Sequence, residues 1–405
     1  MTEKLTDLLE KYQRGEATAA EKNYVEERLK EFAALQEVLL EQEDSEVFEL
    51  PNSTEAETVD SKKLKHQFNR KFLRLGLGVA GILLVVFAVL QWLLFPLANF
   101  FYFNPTEKVV HEEVVPYNIV AAIQTEVTSP LYHLSALGSQ QDGIGKYIIT
   151  KTYQSNLPAV PLSGNQETYE IVRGKVGETS GTLPAASSLI GRTSELSEES
   201  RQLFLANKEQ TLEKLTALPA TSEIAGGLTF ATPLGLGEVQ EFFGTESFFS
   251  DSDYRVNWFS VDIGDSEGLQ LGFNWFATFD FAANYIGTSS SYLTDLNGQY
   301  PHLLPSTEAG ATDVNLRQDF KEHFTSCLQY LLDNHELLKM QNKATPLSAE
   351  YLQQALDYIE ENDVKITGVY FSATTERYRE IVGADQVLDT QILGTELYSQ
   401  SFVNS

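Results

Sequence analysis

The sequence predicts a single-pass membrane protein with a short all-α cytoplasmic segment, one transmembrane helix and a mixed α/β (α+β) extracytoplasmic domain. Residues 75–95 form an uncharged apolar run, amphipathic helical patterns precede residue 40, and strand-like and helical patterns alternate after residue 100. The predicted regions are a helical segment at 1–40, an acidic linker and basic juxtamembrane stretch at 41–71, the transmembrane helix at 72–95, a β-rich membrane-proximal region at 96–195 and an α/β domain at 196–405.

Residues 2–40 show the periodicity of two amphipathic helices. Apolar stripes recur at spacings of three and four residues, with Leu5, Leu8, Leu9 and Tyr12 in the first helix and Val25, Leu29 and Phe32 in the second. Two helices of this length bury little surface, so they need a metal, a disulfide or a partner. No cysteine or histidine precedes His66, which excludes a zinc site. We favour folding onto a partner protein over a self-packed helical hairpin.

The linker that follows is strongly acidic. Residues 41–60 hold eight acidic side chains and no basic one, which is typical of a solvated segment. A second interpretation is that Val47, Phe48 and Leu50 anchor an acidic segment to a DNA-binding protein, in competition with DNA. We favour the linker.

The apolar run, LGLGVAGILLVVFAVLQWLLF, predicts the transmembrane helix. As a helix it would be roughly 31 Å long, which matches the hydrocarbon core of a bilayer. A buried core helix would show a polar stripe, and this run shows none. A cleaved signal sequence would begin near residue 1, whereas 74 residues precede this run.

The basic residues on either side of the apolar run predict its orientation in the membrane. Six basic residues lie in the 20 residues before it, and Lys108 is the only one in the 20 residues after it. Basic residues favour the cytoplasmic side, so we expect a cell-membrane protein with a cytoplasmic N-terminus and an extracytoplasmic C-terminal domain. The topology-determining residues are Lys62, Lys63, Lys65, Arg70, Lys71 and Arg74.

The overall composition narrows the classes of partner. The formal net charge of −28 disfavours nucleic acid as a ligand. Cys327 is the only cysteine, so no intrachain disulfide can form. An exported domain of this size without disulfides fits a bacterium with one membrane.

The region after residue 100 is predicted to contain both strands and helices, in two lobes joined by the loop of residues 155–195. The predicted strands are 109–115, 146–153, 167–172, 227–232, 254–263, 269–279, 364–372 and 387–392. The predicted helices are 198–218, 313–340, 348–362 and a short one from Thr375.

No pattern in this region indicates catalysis or a cofactor. Gly235 and Gly237 do not match a nucleotide-binding loop and are expected to form the turn before a short helix. His323 and His335 are twelve residues apart, too far to share a metal on one straight helix. Cys327 is expected to be a core thiol. We therefore expect a non-enzymatic protein without a metal or cofactor.

Three stretches resemble a known family. The stretches SKKLKHQFNRKFLRLGLGVAGILLVVFAV and EVTSPLYHLSALGSQQDGIGKYIITKTYQ resemble the N-terminal module of the sigma factor regulator family of Gram-positive bacteria. The stretch VKITGVYFSATTERYREIVGADQVLDTQI, residues 364–392, is similar to the closing strand, helix and strand of the family's C-terminal module. The tail LLEKYQRGEATAAEKNYVEERL is similar to a metal-free anti-sigma segment.

The resemblance implies an anti-sigma factor held at the membrane. Its tail would sequester an extracytoplasmic-function sigma factor, and its outer domain, residues 196–405, would sense an envelope signal. Release would follow a conformational change or cleavage by an intramembrane or site-1-type protease. The expected partner-binding anchors are Leu8, Leu9, Tyr12, Val25, Leu29 and Phe32, because anchors in desolvated pockets dominate interfaces.

Two other function classes stay open. The first is a membrane-anchored cell-surface binding protein without a role in transcription, whose tail serves only as an anchor. The second, an exported hydrolase, is weaker because no catalytic constellation fits the observed spacings. An anchor needs basic residues beside the membrane but no capped amphipathic helices farther away, so the tail favours the anti-sigma interpretation.

Overall fold

The computed structural model divides the chain into two compact units, Met1–Leu83 and Leu84–Ser405. In the first unit, Lys22, Val25 and Lys30 are helical, and Val25 is buried. The structure describes residues 18, 22, 25, 30, 73, 76–88, 100–107, 115–157, 159–160, 164–181, 190–191, 196–244, 253–264, 269–274, 291–304, 316–341 and 347–397.

The single-pass membrane part of the predicted fold class is wrong. Residues 76–88, the described part of the predicted span, are helical. None of the helices in the described ranges has both the length and the apolar character needed to cross a membrane. The mixed α/β part of the prediction is confirmed by the second unit.

A four-stranded antiparallel meander, here called the small sheet, forms the first part of the second unit. Its strands pair in the order β1-β2-β3-β4. Arg173 and Gly174 form a two-residue turn between β3 and β4, with φ angles of 51° and 75°, as a type I′ hairpin requires. The strands are β1 (Tyr132–Gln141), β2 (Lys146–Ser155), β3 (Gln166–Val172) and β4 (Lys175–Ser180).

A five-stranded sheet, here called the large sheet, forms the rest of the unit. Its strand order is β7-β6-β8-β5-β9, and every neighbouring pair is antiparallel. The strands are β5 (Glu223–Gly235), β6 (Tyr254–Val261), β7 (Leu271–Phe273), β8 (Lys365–Thr374) and β9 (Val387–Glu396).

The connections give the large sheet a split βαβ topology. One helix joins β5 to β6, and another joins β8 to β9, while β8 lies between β5 and β6 and β5 lies between β8 and β9. The members of each unit are therefore parallel but not adjacent. Two interleaved units of this kind make the ferredoxin-like arrangement. Here, β7 and several helices are inserted between β6 and β8.

Helices cover the large sheet and connect it to the small one. They are α1 (Pro116–Thr128), α2 (Glu198–Leu215), α3 (Leu236–Phe243), α4 (Ser291–Gln299), α5 (Leu316–Asp333), α6 (His335–Lys339), α7 (Ala349–Asn362) and α8 (Thr375–Gly383). The main core contains aromatic contacts between β6, β7 and α5, such as Phe259 and Phe273 with Phe320, each with ring centroids 5.5 Å apart.

Helix α1 is shared by two hydrophobic cores. Tyr117 and Ala121 belong to the core of the small sheet, whereas Ile119 and Ile123 belong to the main core. Pro116 occupies the first turn, where its missing amide hydrogen costs nothing. Because opposite sides of one helix are buried in different cores, α1 fixes the small sheet against the large one.

Most predicted elements in the second unit are confirmed. The structure contains the strands predicted at 146–153, 167–172, 227–232, 254–263, 364–372 and 387–392, and the helices predicted at 198–218, 348–362 and from Thr375. The helix predicted at 313–340 is divided into α5 and α6 at Asn334. The predicted strand at 109–115 lies almost entirely outside the described residues. Helix α1 and strands β1 and β4 were not predicted.

Candidate functional site

Three potential metal ligands of different chemistry meet in the main core. Glu126 lies near the end of α1, and His323 and Cys327 lie on α5. The two α5 residues are four positions apart, a spacing that places side chains on the same helix face. All three are almost completely buried, with 1%, 0% and 0% of their surface exposed.

The imidazole of His323 is the centre of the cluster. Its Nε2 lies 2.7 Å from Oε1 of Glu126 and 3.9 Å from Sγ of Cys327. Its Nδ1 lies 2.7 Å from the backbone carbonyl oxygen of His302. A carbonyl oxygen only accepts hydrogen bonds, so Nδ1 carries a hydrogen. Nε2 is therefore the ring atom available for exchange between a proton and another cation.

The surroundings hold the cluster in place from both helices. Nε1 of Trp258 donates a hydrogen bond of 2.8 Å to the backbone oxygen of Glu126, which connects the end of α1 to β6. The ring of Phe273 lies against His323, with the ring centroids 5.8 Å apart. Carboxylate and imidazole are thus positioned by rigid elements rather than by loops.

Burial and neighbouring groups shift the pKa values of His323 and Cys327. Burial lowers the pKa of His323, but Cys327 and Glu126 act in the opposite direction through charge and hydrogen bonding, and the resulting pKa lies well above the usual value. Burial raises the pKa of the Cys327 thiol.

The structure gives only partial information about the predicted site residues. Of the six predicted partner-binding anchors, Val25 is described, and it is helical with 2% of its surface exposed. Leu8, Leu9, Tyr12, Leu29 and Phe32 lie outside the described residues. The same is true of the six basic residues predicted to determine topology, Lys62, Lys63, Lys65, Arg70, Lys71 and Arg74.

The local predictions made for the second unit have clearer outcomes. Gly235 is the N-cap of α3, and its backbone N–H donates a 2.6 Å hydrogen bond to Oε2 of Glu238. The predicted turn before a short helix is therefore confirmed for Gly235, whereas Gly237 lies inside the helix. Cys327 is buried in a helix, which confirms the predicted core thiol. His335 lies on α6 with its side chain 39% exposed and pairs with Glu336.

Sequence reasoning did not find the buried cluster. The i, i+4 pair of His323 and Cys327 was a usable signal, because this spacing places two ligands on one helix face. Glu126 lies 197 positions from His323, and only the tertiary packing of α1 on α5 brings them together. One acidic residue among 57 gave no signal of its own.

Residues 215–381 match the family model described as sigma factor regulator C-terminal. This region is a sigma factor regulator domain. It extends from the end of α2 to α8 and includes the three central strands of the large sheet as well as His323 and Cys327. No significant match to a curated protein or to a solved structure was found.

The match confirms the family resemblance inferred from the sequence. It covers the closing strand β8 and helix α8, two of the elements that carried the resemblance. The match to this domain supports an anti-sigma regulatory role and implies interaction with a sigma factor. Glu126 precedes the matched residues, so the cluster joins the sigma factor regulator domain to the helix in front of it.

Proposed function

We propose that the chain is an anti-sigma factor that sequesters an extracytoplasmic-function sigma factor through the two predicted helices of residues 1–40. The observation that carries this proposal is the match of residues 215–381 to the sigma factor regulator family. The folded second unit is proposed to receive the envelope signal that ends sequestration. Binding alone accounts for this activity, so the proposed function requires no catalysis.

The character of the tail supports sequestration. Its apolar stripes present residues such as Leu29 and Phe32 at helical spacing, next to charged positions. Lys22 and Lys30 are helical and exposed, as expected for the polar face. Apolar side chains on one face of an amphipathic helix suit a hydrophobic groove on a partner protein. Release by a conformational change or by a protease is part of the same proposal.

The proposal is tested by co-purification of the full chain with extracytoplasmic-function sigma factors. The test variant is Leu29→Asp with Phe32→Asp, which places two charges in the apolar stripe. The matched control is Lys22→Asp with Lys30→Asp, which introduces the same two side chains at exposed positions. Loss of two anchors should weaken capture by at least roughly 100-fold, because interface anchors contribute about 2 kcal/mol or more each.

Two outcomes of this experiment would contradict the proposal. If the wild-type chain captures no sigma factor, the tail has another role. If the stripe variant and the control capture the sigma factor equally well, the apolar stripe is not the interface. Circular dichroism of each variant shows whether the helical content is retained.

A further inference from the structure

We propose that Glu126, His323 and Cys327 form a binding site for a divalent transition-metal cation of the zinc class. Their donor atoms all lie within 4.8 Å of one another, and they include one oxygen, one nitrogen and one sulfur. Imidazole and thiolate ligands favour zinc and related transition metals over magnesium or calcium. The site does not depend on the sigma factor partner and is assigned from this geometry alone.

The distances are close to those that a tetrahedral ion needs. Zinc–ligand bonds of about 2.0–2.3 Å place neighbouring donors roughly 3.3–3.7 Å apart. In the structure, Nε2 of His323 is 2.7 Å from Oε1 of Glu126 and 3.9 Å from Sγ of Cys327. To reach this spacing, the carboxylate must move away from the imidazole, and the sulfur must move towards the other two donors, which now lie within 4.8 Å of it. The second carboxylate oxygen or a water molecule can provide a fourth donor.

The hydrogen bond on the far side of the imidazole is typical of a metal-ligating histidine. Such a histidine usually donates its other ring N–H to a carboxylate or a backbone carbonyl, which fixes the tautomer and the orientation of the ring. Nδ1 of His323 has this contact with the carbonyl oxygen of His302, at 2.7 Å. Nε2 is thereby directed at the carboxylate and the sulfur, the two other donors of the proposed site.

Binding of a cation should release protons, because imidazole, carboxylate and thiol side chains bind a metal ion in their deprotonated forms.

A cation at this site would connect helices α1 and α5. His323 and Cys327 belong to the main core on α5, and Glu126 belongs to α1, which also packs on the small sheet. A cation bound by all three joins α1 to α5. A cation that binds the folded chain but not the unfolded chain stabilises the folded chain. The unfolding temperature should therefore rise with the free cation concentration.

The experiment uses the full chain, stripped with a chelator and then titrated with Zn²⁺ or Co²⁺. We expect one cation per chain, with proton release detected in weak buffer. Co²⁺ should give a thiolate-to-metal charge-transfer absorption, which reports sulfur ligation directly. Thermal unfolding measured with and without Zn²⁺ provides a second readout.

Three variants make the test specific. Glu126→Gln retains a hydrogen-bond acceptor near His323, and Cys327→Ser retains a side chain of similar size. Each should abolish the stoichiometric uptake, and Cys327→Ser should also abolish the charge-transfer absorption. His335→Gln removes an exposed histidine that is not part of the cluster, so it should bind the cation as the wild type does.

Two results would overturn the assignment. One is a folded wild-type chain, verified by circular dichroism, that takes up no cation. The other is equal uptake by the wild type and by folded Glu126→Gln and Cys327→Ser chains, which would place the cation elsewhere. In either case the cluster is a buried ion pair. Capture of a sigma factor is not a readout, so failure here is distinct from failure of the proposed function.

Discussion

The two sheets of the second unit bury their strands in different ways. In β2 of the small sheet, buried positions alternate with partly exposed ones from Lys146 to Tyr153. In β8 of the large sheet, every residue from Ile366 to Ala373 is buried. The small sheet packs one face on a core, whereas the central strand of the large sheet is covered on both faces.

The difference follows from what lies against each sheet. Phe371 faces the main core and stacks on Tyr378 of α8, with ring centroids 4.7 Å apart. Its neighbour Tyr370 points the other way and contacts Trp258 in a separate cluster with Leu131 and Leu157. A strand buried on both faces is expected to be apolar throughout, and a strand buried on one face is expected to alternate.

The largest expected effects are on β8. Phe371→Ala and Tyr370→Ala should each lower the free energy of unfolding by about 3–5 kcal/mol, because each removes a buried ring and leaves a cavity. Urea denaturation measures both. If only Phe371→Ala is destabilising, the rear face of the large sheet is not a packed core and the contrast between the sheets fails.

A matched pair of isoleucines tests the small sheet. Ile149→Ala should cost about 2–5 kcal/mol, since Ile149 is fully buried. Ile148→Ala, one position earlier on the partly exposed face, should cost about 1 kcal/mol or less. The same denaturation experiment compares them. Equal losses would mean that both faces of β2 are covered.

Lys151 is the exception on the buried face of β2, and its effect should depend on pH. Burial lowers the pKa of Lys151 from 10.5 to about 8, with the nearby charge of Glu167 acting in the opposite direction. Its Nζ donates a hydrogen bond to the backbone oxygen of Gln341 and lies over the ring of Tyr169. Below pH 8 the folded chain therefore has to keep a desolvated ammonium.

The sign of the effect follows from this pKa. Between about pH 8 and 10.5 the unfolded chain binds more protons at Lys151 than the folded chain, so stability rises with pH in this window. The lowering of the pKa of Lys151 on folding corresponds to a gain of about 3 kcal/mol in the free energy of unfolding across this window. Lys151→Met should be the more stable chain at pH 7 and should lose this rise, as measured by urea denaturation at pH 7 and pH 10. Parallel pH profiles would contradict the prediction.

The smallest effect concerns a helix that packs against the large sheet. The Ser197 hydroxyl is the N-cap of α2 and accepts a hydrogen bond from the backbone N–H of Ser200. Ser197→Ala should cost about 1 kcal/mol, whereas Ser197→Thr retains the acceptor and should cost less. Thermal unfolding of the two variants measures the difference. Equal stability of the wild type, Ser197→Ala and Ser197→Thr would show that the cap contributes nothing to the stability of the folded chain.

The comparison of the sheets also explains which elements could be predicted. Strands β2, β6 and β8 are rich in aromatic and β-branched residues and were predicted, because such residues favour strands. Strand β1 contains Ser135, Gly138 and Ser139, and β4 contains Gly177, so their propensity is weak and pairing with β2 and β3 decides their structure. Helix α1 includes several β-branched residues, and burial between two cores stabilises it.

The prediction of a membrane span relied on the length and composition of one apolar run, without information on what packs against it. An apolar stretch of that length satisfies the rule for a span, yet no helix in the described part of the chain is both long and apolar enough to cross a membrane. The candidate site was unpredictable for a related reason. A ligand pair on one helix is visible in the sequence, but the third ligand depends on which helix packs against it.

Strand β9 has a consequence for the synthesis of this protein. It pairs with β5 from Glu223 to Phe230 and follows all other strands of the large sheet in the chain. While translation is still short of Val387, that edge of β5 has no strand beside it, and an unpaired edge attracts other chains. Nascent chains of this protein should therefore stay chaperone-dependent until the last strand leaves the ribosome, and chains truncated before it should be substrates for quality-control proteases.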